Sequence, residues 1–85
     1  MNISYIVKLP TNETKSYCTF LEAIKCVFSS FLTQQFPEKQ ESEIKYLTEI
    51  FSSGFNVEPK KEGYIHIFPH YGIDVIHNLP LNKAL

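Results

Sequence analysis

Hydrophobic and polar positions alternate over the first nine residues of the chain. Ile3, Tyr5, Val7 and Leu9 interleave with Asn2, Ser4, Ile6 and Lys8, and a period of two predicts a strand with one face turned inward. Pro10-Thr11-Asn12-Glu13 then reads as a turn. Pro10 suits its first central position because the proline ring pre-sets φ. Thr14 to Cys18 is expected to run back as a short second strand, completing a hairpin.

The period then changes. Thr19-Phe20-Leu21-Glu22 fits a capping box, in which the Thr19 hydroxyl accepts from the Glu22 backbone N–H and the Glu22 side chain reaches back to Thr19. A helix is predicted from that point. Phe20, Leu21, Ala23, Ile24, Val27, Phe28, Phe31 and Leu32 occupy about half of its cylinder at ~100° per residue. An apolar arc that wide calls for cover on two sides, by a sheet and by a second helix or another chain. Phe36-Pro37 ends the run, because a residue before proline is pushed out of the helical region.

Ile44, Leu47, Ile50 and Phe51 return at helical spacing, flanked by Tyr46. Glu41–Lys45 and Lys45–Glu49 are favourable i,i+4 pairs for the solvent side of this second helix. Gly54 is placed to end it as a left-handed cap. Phe55, Val57 and Pro59 then alternate with Asn56, Glu58 and Lys60, which predicts a strand whose proline favours an edge or a strand end. Lys60 to Gly63 reads as a turn. Tyr64-Ile65-His66-Ile67-Phe68 is the strongest strand pattern in the chain and is apolar on both faces, which predicts a central place in the sheet or an interface. Ile73 to Ile76 is the last strand candidate.

The order β(β)ααββ(β) predicts one small α+β domain over residues 1–85, with 78–85 as a short C-terminal tail. Its expected architecture is an antiparallel sheet of about four to five strands with two helices packed on one face.

Composition narrows the function classes. The chain has eight lysines and no arginine, so it lacks the fork-shaped donor that clamps phosphates, carboxylates and guanine edges. Ile, Lys, Phe, Asn and Tyr are abundant, as an AT-rich gene would dictate. A net charge of −1 argues against a polyanion partner, whose footprint is a clustered basic excess. Asp74 is the single aspartate beside eight glutamates, which excludes paired-aspartate metal sites and Asp-rich calcium loops. The N-terminus has no basic region followed by an apolar core, and no stretch reaches membrane-spanning length without a charge. Two cysteines, Cys18 and Cys26, do not make a disulfide framework and point to a reducing cytoplasm.

Three histidines invite a test for chemistry. His66 and His70 stand four apart, but on an extended strand that spacing spans ~13 Å, too far for two ligands of one zinc. No metal or other cofactor is expected. The neighbour of His66 depends on hairpin register. A four-residue loop over Lys60 to Gly63 pairs it with Val57, and a three-residue loop sets it against Glu58. The alternative expectation is a small histidine-dependent hydrolase or nuclease-like toxin using His66 or His70 with Glu58 or Tyr64. No nucleophile or oxyanion-hole motif accompanies them.

The surplus of apolar positions carries the leading expectation. It is a non-enzymatic protein-binding module, a regulator or inhibitor that occupies a surface of a larger protein or of a second copy of itself. A phage- or plasmid-borne anti-defence or host-takeover role fits the composition by association. Candidate contact residues are Tyr64, His66, Phe68, Tyr71, Leu79, Leu81 and Leu85, chosen for residue types enriched at interfaces and for the three tail leucines.

Overall fold

The computed structural model describes residues 4–55 and 63–78. The elements are β1 (Ser4–Lys8), β2 (Thr14–Tyr17), α1 (Phe20–Gln35), α2 (Glu41–Ser52), β3 (Gly63–Phe68), a 3-10 turn (Pro69–Tyr71) and β4 (Ile73–Asn78). The strands form one antiparallel sheet in the order β2-β1-β4-β3, and the helices complete an α+β domain. The strand predicted over Phe55 to Pro59 lies outside the described residues after Phe55, as do Glu58 and the tail with Leu79, Leu81 and Leu85.

The opening hairpin forms for local reasons. The Leu9 N–H donates to the Glu13 carbonyl at 2.9 Å and the Asn12 N–H to the Leu9 carbonyl at 3.0 Å. Asn12 closes the loop at φ 68°, a left-handed backbone that asparagine tolerates better than most residues. The register then sets Tyr5 opposite Tyr17 and Val7 opposite Lys15.

Thr19 caps α1, its hydroxyl accepting from the Glu22 N–H at 3.2 Å. The return half of the capping box is made between side chains, the Thr19 hydroxyl donating to Glu22 Oε1 at 3.0 Å. α1 lies against the sheet. Its Phe20, Ala23, Ile24 and Val27 meet Tyr5, Val7, Ile73 and Val75 from the two central strands, and all eight side chains are buried. Burying each large apolar side chain contributes about 1.5–3 kcal/mol, so this block is the main source of stability.

Among the described strands β3 stands at one end, with β4 between it and β1, and the strand predicted to precede it lies outside the described residues after Phe55. The register of β3 against β4 is irregular between His66 and Phe68. Strict alternation would put Phe68 on the face of His66. The bulge carries it to the inner face instead, opposite buried Ile73, because an extra residue in one strand reverses the alternation beyond it. Gly72 then turns the chain into β4 at φ +72°, close to Pro10, with an added Cβ only 3.4 Å from the Pro10 Cα.

α2 packs on α1 through Ile44, Thr48 and Ser52, which are its buried residues. The expected pairs Glu41–Lys45 and Lys45–Glu49 do not form. Glu49 instead bridges to Lys25 of α1 at 3.1 Å, and Glu43 pairs with Lys39 at 3.5 Å. Gly54 is not a left-handed cap. Ser53 closes the helix in a right-handed conformation, its N–H and its hydroxyl both donating to the Ile50 carbonyl.

Candidate protein-binding surface

The face that α2 buries is not its apolar face. At ~100° per residue, Tyr46, Ile50, Leu47 and Phe51 span an arc of about 140°. Ile44, Thr48 and Ser52 lie beyond one end of that arc. Thr48 and Ser52 can be buried because their hydroxyls donate to carbonyls one turn back, Thr48 to Ile44 at 2.7 Å and Ser52 to Glu49 at 3.4 Å. Such back-bonding satisfies the hydroxyl inside its own helix. The Lys25–Glu49 bridge clasps the charged flank of α2 to α1, and the apolar arc is left turned outward. Tyr46 is 67% exposed, and Ile50 and Phe51 are each 48% exposed.

Phe51 joins this arc to a row of aromatic rings. It stacks on Phe28 with centroids 6.0 Å apart, and Phe28 meets Phe68 edge-on at 5.4 Å. Phe68 stacks on Phe31 at 4.0 Å, and Phe31 meets Tyr71 edge-on at 5.0 Å. Phe28, Phe31, Phe68, Ile65 and Ile67 are only partly buried. The core over β1 and β4 is sealed, whereas the apolar surface over β3 and along α2 is half open. An exposed apolar patch rimmed by polar residues is a mark of an interaction surface.

The predicted contact residues do not form one site. Phe68 belongs to the aromatic row and Tyr71, 42% exposed, stands at its end. His66 is on the opposite face of the sheet. Tyr64 stands opposite Ile76 in the ladder, and Leu79, Leu81 and Leu85 lie outside the described residues. Tyr46, Ile50 and Phe51 were missed as surface residues, although their helical spacing was visible, because periodicity does not say which side of a helix is covered.

The histidines separate likewise. His66 is exposed and its Nδ1 lies 3.1 Å from Asp74 Oδ1, directly across β3–β4. Across β4 it faces the single aspartate of the chain, while Val57 and Glu58, its alternative neighbours by hairpin register, lie outside the described residues. His77 is fully buried and stacks on Tyr5, on the inner face of the sheet. His70 is exposed in the 3-10 turn. Among the described residues, no group of three or more His, Cys, Asp or Glu could hold a metal ion.

On the charged flank of α2 a groove of about 720 Å³ opens between α1, α2 and β2. Tyr17, Cys26, Ile44 and Thr48 line it, with lysines and glutamates mixed along its rim. Burial, then a hydrogen bond with Cys26, then the charges of Cys26 and Glu22 push the Tyr17 phenol up to about 12. Tyr17 is thus a neutral phenol at ordinary pH. Cys18 is exposed and Cys26 half-buried, and both are free thiols. Among the described residues no helix is long and apolar enough to cross a membrane.

Compared with family models, with curated proteins and with solved structures, the chain matches none of them.

Proposed function

We propose that this chain is a non-enzymatic protein-binding module, a small regulator or inhibitor that acts by occupying a surface of a larger protein. The contact surface is the outer face of α2, continued by the aromatic row. One observation carries the reading: Tyr46, Ile50 and Phe51 stay about half exposed or more, while small Thr48 and Ser52 are buried against α1. Amphipathic helices normally bury their apolar stripe in their own core. Aromatic residues are also the types that dominate interface energetics. The reading takes a reducing compartment such as the cytoplasm as its setting, in keeping with two free cysteines.

The test is copurification from the native host after nuclease treatment, with wild type and Ile50→Asp compared side by side. The proposal expects a stoichiometric protein with wild type and its loss with Ile50→Asp. Retention of the same protein by both would overturn it.

The His66–Asp74 pair favours a second reading, a small histidine-dependent hydrolase or nuclease-like toxin. A carboxylate on one ring nitrogen orients an imidazole for proton transfer at the other. His66→Ala removes activity with the fold intact on this reading, and changes no activity on the first.

A further inference from the structure

We infer that, without a larger partner, the outer face of α2 is closed by α2 of a second copy, antiparallel and related by a two-fold axis level with the Thr48–Glu49 peptide. The inference rests on the reading of this face as a binding surface and names its occupant in the isolated protein.

The spacing of the face is self-complementary. Its positions are Glu43, Tyr46, Leu47, Ile50, Phe51 and Gly54, a run of threes and ones that reads the same in both directions. A two-fold contact requires that each residue i meeting j be matched by j meeting i. An axis between positions 48 and 49 sets Tyr46 against the partner's Phe51, and Leu47 against the partner's Ile50. It sets Glu43 against the partner's Gly54. No atom lies within 4 Å of where a Gly54 Cβ would stand, so the glutamate meets open space.

Charge points to the same occupant. Identical faces bring identical charges together, so a self-contact needs a charge-poor centre. Tyr46, Leu47, Ile50 and Phe51 are uncharged, and the one bordering charge, Glu43, is already paired with Lys39. α2 has no basic residue in its last turn. The antiparallel copy brings the partner's Lys39, beside the partner's Glu43, to that end, where a cation favours the exposed carbonyls.

Area sets the strength. Aromatic side chains bury about 150–250 Å² each, so three half-open residues offer about 300–400 Å² per copy. A standard interface buries about 800 Å² per partner. The dimer is therefore reversible and concentration-dependent.

Sedimentation of the full chain from micromolar to near-millimolar concentration tests this, with far-ultraviolet circular dichroism to confirm folding. Wild type is expected to shift from monomer to dimer, and Ile50→Asp to stay monomeric. Gly54→Glu, facing the partner's Glu43, weakens the dimer about tenfold or more, whereas Gly54→Lys does not. Neither change meets an atom of its own chain within 4 Å at Cβ. A monomeric wild type throughout the range overturns the inference, as does an equal effect of Gly54→Glu and Gly54→Lys. Its failure is distinct from failure of the binding reading: a monomeric chain that still loses its copurified protein on Ile50→Asp refutes the dimer alone.

Discussion

Tyr5 and His77 stand opposite each other in the β1–β4 ladder, both fully buried, with ring centroids 4.6 Å apart and planes 9° from parallel. Phe20 of α1 reaches the same place, its ring 5.5 Å from that of Tyr5. The stack therefore joins the centre of the sheet to the first turn of α1. Tyr5→Ala is expected to destabilise the domain by about 3–5 kcal/mol, a large share of the ~5–15 kcal/mol typical of a native protein. Urea denaturation measures it. A midpoint close to wild type would contradict the central position of Tyr5.

Two isoleucines six residues apart on α2 should behave oppositely. Ile44 is 7% exposed and Ile50 is 48% exposed. Ile44→Ala is expected to cost about 2–4 kcal/mol through lost burial and the cavity left behind. Ile50→Ala should cost less than about 1 kcal/mol in the monomer. Equal losses in thermal or urea melts at low protein concentration would mean that α2 is rotated differently.

The His66–Asp74 pair lies on the outer face, where water and salt screen it. His66→Ala and Asp74→Asn should each change stability by no more than about 1 kcal/mol. A double-mutant cycle should return a coupling of a few tenths of a kcal/mol. A loss of several kcal/mol from His66→Ala would show a core histidine instead.

Tyr17 links stability to alkaline pH. Its phenol titrates near 10 when unfolded and is pushed up to about 12 in the fold. The neutral form thus favours folding. That contribution is present in full below about pH 10 and is lost as pH rises toward about 12. Tyr17→Phe should melt with a shallower alkaline fall than wild type. Superimposable stability–pH curves for the two proteins would refute the shift.

Much of the fold was legible because the signals were local. The β1–β2 turn needed only Pro10 and an asparagine that accepts positive φ. The start of α1 needed Thr19 and Glu22 three residues apart, and its end needed Phe36 before Pro37. The wide apolar arc of α1 correctly foretold cover on two sides. Gly54 shows the limit of such signals: glycine permits a left-handed cap without requiring one, and the Ser53 hydroxyl closed the helix another way.

The sequence by itself determined the two helices and the four described strands, though not the 3-10 turn Pro69–Tyr71, and which residues of β1 and α1 face inward. Those follow from backbone sterics and from period, which operate within a few residues. Tertiary structure alone decided the strand order, the partner of His66, the inward turn of Phe68 and the outward turn of Tyr46, Ile50 and Phe51. Each depends on a contact between distant segments: Lys25 with Glu49 across two helices, His66 with Asp74 across a turn, Phe68 with Phe31 across the sheet–helix interface. A hydrophobic pattern states that a face is apolar. Only the packing of the other elements states what covers it, and on α2 they leave it open.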